Sequence, residues 1–187
     1  PLPASDEPLP ASDEPHPASD EQTFASRFWT VHIHSSTSCM GDAGGHYYAG
    51  AVTADPWASI VYIAAAYDTA SESFTADGSF TVNTGALSTA IIGRSFVIHN
   101  YDGVRIACAV LADRGGALMA SNFVPYAGYS GSFTSVSGTV GPMVMVGATQ
   151  QAFSYSLTGV DPACANGPTA DSNSCGMCVN QILPRNL

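Results

Sequence analysis

The sequence predicts an all-β protein built as an antiparallel sandwich or barrel, on three observations. Only 11% of residues are charged while Gly, Ser, Thr, Ala and Val dominate, a texture of short strands and turns rather than charged amphipathic helices. From Phe24 onward, short apolar runs are split by Gly, Asp and Asn at the spacing of antiparallel strands. No window carries a convincing helical period. At 187 residues the chain is one large domain or at most two small ones.

Residues 1–23 come first as an arm. Pro1 to Glu21 is three near-identical heptads, the last being Pro15-His16-Pro17-Ala18-Ser19-Asp20-Glu21. Pro-x-Pro units with almost no apolar content cannot form a core, so the arm is read as extended and polyproline-like. His16 stands where the earlier heptads have Leu2 and Leu9, and reads as drift in a repeat rather than a metal ligand. An opening Pro without a signal-peptide pattern suggests a processed or truncated product. Serines in these acidic Pro-rich heptads are candidate O-glycosylation sites, and no Asn-x-Ser/Thr sequon occurs.

The candidate strands follow in order. Phe28–His34 alternates, and Ile60–Ala66, Ser71–Thr75 and Ser79–Asn83 are short runs rich in β-branched and aromatic residues. Gly85–Ile92 is the best, though weak, helical stretch. Ser95–His99 and Arg105–Leu111 flank Asn100-Tyr101-Asp102-Gly103-Val104, a tight hairpin signal. Tyr129–Thr134, Val140–Val146 and Ala152–Leu157 complete the nine.

Composition excludes several classes of partner. No stretch approaches the apolar length of a transmembrane helix. Five Arg, no Lys and fifteen acids give a net charge of −10, which argues against nucleic acid and anionic lipid. Six of those acids lie in the arm, so from Gln22 onward five basic against nine acidic residues leave only −4.

The histidines carry the chemistry. In Val31-His32-Ile33-His34 the strand alternation sends His32 and His34 to one face and Val31 and Ile33 to the core. Gly41-Asp42-Ala43-Gly44-Gly45-His46 is a Gly-rich loop that can bend a third imidazole back to the sheet. His99 ends the run Gly93 to His99. Four neutral imidazoles with no nearby thiolate or carboxylate pair suit copper or zinc, with copper favoured by the affinity order. Each His alone would read as an ordinary surface or core residue; the set of four lifts the signal. If Tyr101–Gly103 is a three-residue loop, His99 pairs with Arg105, whose Cβ then lies about 5 Å away. A guanidinium there would attract a small anion to a metal held by His99.

These residues resemble the copper/zinc superoxide dismutase family. The resemblance rests on Val31-His32-Ile33-His34, the Cys39…Gly44-Gly45-His46 loop, Gly93 to His99, and Asp102-Gly103-Val104-Arg105-Ile106-Ala107-Cys108, which match in order, spacing and chemical role. It implies a Greek-key β-sandwich or barrel. It further implies copper ligands His32, His34, His46 and His99, an anion-guiding Arg105, protons delivered by His46 or water, and a disulfide Cys39–Cys108. Residues 47–98 contain no His and only five residues separate His99 from Arg105. The family's zinc ligands and long electrostatic loop are therefore missing. That places the chain nearest the copper-only branch and the extracellular superoxide-dismutase-like repeat proteins, with one copper per chain, no zinc, and His46 an unshared ligand.

The strand order departs from the family. Members carry about three strands before the His-x-His strand, whereas a Pro-rich arm precedes it here. The missing strands come afterwards: residues 122–164 resemble the opening of a repeat unit, followed by Cys175-Gly176-Met177-Cys178-Val179-Asn180 where such a unit has its His pair. Residues 24–115 are then a superoxide-dismutase-like part with the metal site, and residues 116–187 complete the same sandwich as a permuted domain, or a neighbouring one by strand exchange. Similar repeat units imply a Cys164–Cys175 pair, leaving Cys178 unpaired or intermolecular. Cys175-Gly176-Met177-Cys178 has redox-motif spacing without the strand-to-helix setting such a motif needs. The cysteines and the absence of Lys fit a secreted protein.

Two functions follow from the resemblance. One is extracellular copper-only superoxide dismutation, with superoxide as substrate. The other is a structural subunit, polymerised head to tail with copies of itself into an extracellular filament, its metal site vestigial or structural. A third reading, copper storage or sensing, shares the ligands without turnover.

Overall fold

The computed structural model describes residues 30–64, 66–69 and 72–166. The heptad arm with His16, and Cys175 and Cys178, lie outside the described residues. The elements are β1 (Val31–Ile33), β2 (Ala66–Asp68), β3 (Ser73–Asn83), the single-turn helix α1 (Ser88–Ile91), β4 (Ser95–His99), β5 (Arg105–Asp113), β6 (Leu118–Ser121), β7 (Val124–Pro125), β8 (Ser137–Met145) and β9 (Gln150–Thr158), closed by a 3₁₀ turn at Pro162–Asn166.

Among the described residues all ladders are antiparallel, and one curled sheet of nine strands runs β1-β4-β5-β6-β8-β9-β3-β2, with β7 on β5. The all-β antiparallel architecture predicted from the sequence is therefore present, as a sheet rolled into a half-barrel. The curl turns on β5. Its first half pairs with β4 and β7, whereas Leu111–Asp113 pair with β6. A bridge between Thr30 and Val61 draws the β1 edge toward the segment leading into β2. Strands β8 and β9, from the 116–187 segment, lie between β6 and β3 of the same chain.

Alternation sorts the side chains as the hydrophobic effect requires. Val31 and Ile33 are fully buried and share one core with Phe96, Ile98, Ile106, Leu111, Phe153 and Leu157. Each such side chain contributes about 1.5–3 kcal/mol by leaving water. All five residues of β4 are buried, so the strand is covered on both faces. Phe96 and Ile98 face the main core, while Val97 packs on the other side with Ala43 and Cys108. Ala43 belongs to the 35–46 loop, which folds over the outer face of β1, β4 and β5.

Several strand assignments need correction. Ser71–Thr75 and Ser79–Asn83 are one strand, β3, because Gly78 pairs opposite Tyr155 and a Cβ there would come 2.5 Å from the Tyr155 hydroxyl. The glycine makes room for a ring and does not break the strand. Tyr129–Thr134 is not a strand: Gly128 has φ +82°, the Tyr129 N–H closes a turn on Tyr126 O, and the Phe133 N–H donates to Tyr129 Oη. Among the described residues of Ile60–Ala66, only the Val61 bridge and the start of β2 have strand pairing. Strands β6 and β7 were not anticipated; β7 contains Pro125, tolerated where a strand has no inner ladder to feed.

Candidate metal centre

Two strands and one loop deliver the four histidines to one place. His32 stands on β1, pairing with Val97 of β4, so its ring leaves the sheet on the face opposite Val31 and Ile33. Just beyond β1, His34 bridges to His46. That bridge exists because the 35–46 loop doubles back: Ser35 N–H donates to Gly45 O, Ser36 N–H to Ala43 O and Tyr47 N–H to Ile33 O, at 2.8–2.9 Å. Gly44, at φ +75°, makes the reversal, and the Asp42 carboxylate accepts its N–H at 3.0 Å. His99 ends β4 at a bulge after Ile98.

One donor nitrogen from each of His32, His34, His46 and His99 lies within 4.8 Å of every other. The hydrogen bonds select which nitrogen is free. His34 Nδ1 lies 2.9 Å from Gly44 O, and His99 Nδ1 lies 2.9 Å from Gly103 O. A carbonyl only accepts, so both rings carry their proton on Nδ1 and present an Nε2 lone pair. The Asp55 carboxylate does the same for His46, 2.6 Å from Nδ1. His32 Nδ1 lies 3.3 Å from Thr30 Oγ1, while its Nε2 is buried with no hydrogen-bond partner.

Two features are costly without a cation. A buried imidazole nitrogen without a partner forgoes its hydration. The Nε2 atoms of His34 and His99 also stand 3.5 Å apart with a lone pair on each. A metal ion accepting all four nitrogens relieves both, so the residues fit a metal and the cluster could hold one. Protons do not compete for His32, His34 and His99 near neutrality. Burial pushes His34 down to about 3 and His99 down to about 4. It also holds His32 well below its usual range, with the neighbouring imidazoles adding to the effect.

Arg105 pairs across the ladder from His99, as the hairpin reading required: Asn100 N–H donates to Val104 O and Gly103 takes φ +76°. Its guanidinium is held on three sides. Nη1 donates to Asp42 Oδ1 at 2.6 Å and to Tyr126 Oη at 2.7 Å, and Nη2 donates to Gly44 O at 2.6 Å. Gly44 O thus receives both His34 Nδ1–H and Arg105, which places the guanidinium one carbonyl away from a candidate ligand. Beside it lies an open groove of about 450 Å³ bounded by Val104, Tyr126, Tyr129 and the 127–131 turn.

Cys39 and Cys108 form a disulfide that fastens the 35–46 loop to β5. Cys164 is buried, its Sγ 3.5 Å from Tyr62 Oη, and among the described residues it has no disulfide partner. Burial pushes its thiol up to about 12, and Tyr62 in turn donates to His99 O at 2.8 Å.

Three polar partners escaped the sequence reading: Asp55 behind His46, Asp42 on Arg105, and Tyr126 between Asp42 and Arg105. Asp42 sits within the quoted Gly-rich loop, and its two-residue spacing to Gly44 is a recognisable side-chain-to-backbone turn signal. Asp55 and Tyr126 carry no local signal, because each meets its partner only through the fold. Among the described residues no helix is long and apolar enough to cross a membrane. No protein-family model, curated protein or solved structure matches the chain.

Proposed function

We propose that the chain is a copper-dependent superoxide dismutase that works outside the cell. The observation that carries this reading is the set of four convergent imidazole donors, three with Nδ1 held by a carbonyl or carboxylate oxygen and the fourth with a stranded Nε2, beside a half-buried arginine. Nitrogen-only donors suit copper. Bound there, copper would supply one-electron exchange, so that two superoxide anions and two protons leave as dioxygen and hydrogen peroxide. The chain's own groups do the rest. Arg105 attracts the anion toward His34 and His99. Asp55 fixes the proton on His46 Nδ1, which keeps Nε2 as donor and leaves Nδ1 no lone pair for a second metal. That favours an unshared copper over a copper–zinc pair. His46 and Asp55 lie at the rim, with side chains 27% and 38% exposed, where water can exchange protons. The Cys39–Cys108 bond suits an oxidising compartment.

The test is copper loading of the purified chain with metal analysis, followed by a superoxide-consumption assay. One copper per chain and activity lost in His99→Ala and reduced in Arg105→Ala are expected. No copper uptake, or activity no greater than that of free copper, sinks the reading.

A further inference from the structure

We infer that Asp42 is a built-in competitor for the anion-binding face of Arg105, a positioning residue that sets how tightly a small anion is held beside the histidine cluster. The inference rests on the reading of Arg105 as an anion receiver. Asp42 is unlike the rest of the site in being 80% exposed while touching a guanidinium that is only 30% exposed. It reaches Arg105 because the turn aims it there: Oδ1 takes the Gly44 N–H at 3.0 Å, the Arg105 Nη1–H at 2.6 Å and the Tyr126 hydroxyl proton at 3.3 Å. An incoming anion thus meets an arginine whose charge is already countered by a carboxylate, and it must share or displace that partner. An exposed carboxylate yields at small cost, because water takes it back. The remaining contacts, Gly44 O and Tyr126 Oη, hold Arg105 in place when Asp42 lets go.

Asp42→Asn separates charge from geometry, since the amide oxygen still accepts from Gly44 and Arg105 while the negative charge is gone. The measurement is the rate of phenylglyoxal modification at Arg105 in the metal-free full chain, read by peptide mass spectrometry, with azide titrated as protecting anion. Arg94 is the internal control: its Nη1 donates to Ser35 O at 2.7 Å, so it reports on loosening of the same loop. In Asp42→Asn, Arg105 is expected to react roughly three- to five-fold faster and to be half-protected at a correspondingly lower azide concentration, with Arg94 unchanged. Unchanged Arg105 reactivity and protection, or an equal rise at Arg94, overturns the inference. A parallel copper titration of the wild type keeps the two readings apart: failure to bind copper defeats the proposed function and leaves the Asp42 result standing.

Discussion

Opening the Cys39–Cys108 disulfide should harm the protein in two separable ways. The bond closes a loop spanning 69 residues, and constraining a loop of that length in the unfolded chain is worth about 4 kcal/mol at room temperature. With a urea slope of about 2 kcal/mol per M, the paired substitution Cys39→Ser with Cys108→Ser lowers the unfolding midpoint by about 2 M. The second effect is local. Cys39 anchors the loop that carries Asp42, Gly44 and His46, whereas His32, His34 and His99 are held by β1, β4 and their immediate surroundings. Under conditions where the variant remains folded by near-ultraviolet circular dichroism, copper affinity should fall by more than tenfold, because one ligand and the carbonyl orienting another lose their tether. Chemical denaturation and copper titration with a competing chelator measure the two effects independently. An unchanged urea midpoint would refute the loop-entropy argument. Full copper affinity in a destabilised variant would refute the idea that the disulfide positions the site.

Other outcomes follow from the same geometry. Asp55→Asn removes the carboxylate that fixes the His46 tautomer, so copper affinity should drop roughly ten- to a hundred-fold with little change in thermal stability, checked by chelator competition. In the metal-free protein the unfolded chain binds protons on His34 and His99 from about pH 6.5 downward, while the folded chain does not until about 3 and 4 respectively. The contribution of these two histidines to stability is thus fully present above pH 6.5 and falls as pH drops toward 4, by about 1.4 kcal/mol per pH unit for each histidine; urea midpoints flat across that window would contradict the neutral, buried state. Phe153→Ala empties the space between Phe80 and Phe96, whose ring centroids lie 5.1 and 6.0 Å away, and should cost about 3–5 kcal/mol in denaturation experiments.

What the sequence disclosed follows the range of the forces involved. The period-2 alternation at Val31–His34 is enforced within one strand, so both the core face and the ligand face could be read locally. The three-residue turn after Asn100 likewise sets the His99–Arg105 pairing by local geometry alone. Gly78 misled because its reason lies on β9, where Tyr155 needs the space. The run at 129–134 misled in the opposite sense: its composition suits a strand, yet Gly128 starts a turn and no neighbouring strand pairs with it. Strand β6 is only four residues long beside a Gly pair, too short to announce itself. The polar partners Asp42, Asp55 and Tyr126 are fixed by loops and long-range packing, which periodicity does not encode.

The double use of the Gly44 carbonyl bears on how this site can change under mutation. A side chain that orients a ligand can be exchanged one residue at a time, but a backbone oxygen has no alternative allele. Any chain with a peptide bond at that place supplies it, and no point substitution deletes it while leaving the rest intact. The one available change is at Gly44 itself, whose positive φ disfavours other residues and where a side chain would collide with the Ser35 hydroxyl. Variation there would disturb the His34 tautomer and the Arg105 position in the same step. A substitution at Gly44 therefore touches the orientation of one candidate ligand and the placement of the arginine in one step, whereas substitutions at His34 or Arg105 touch them one at a time.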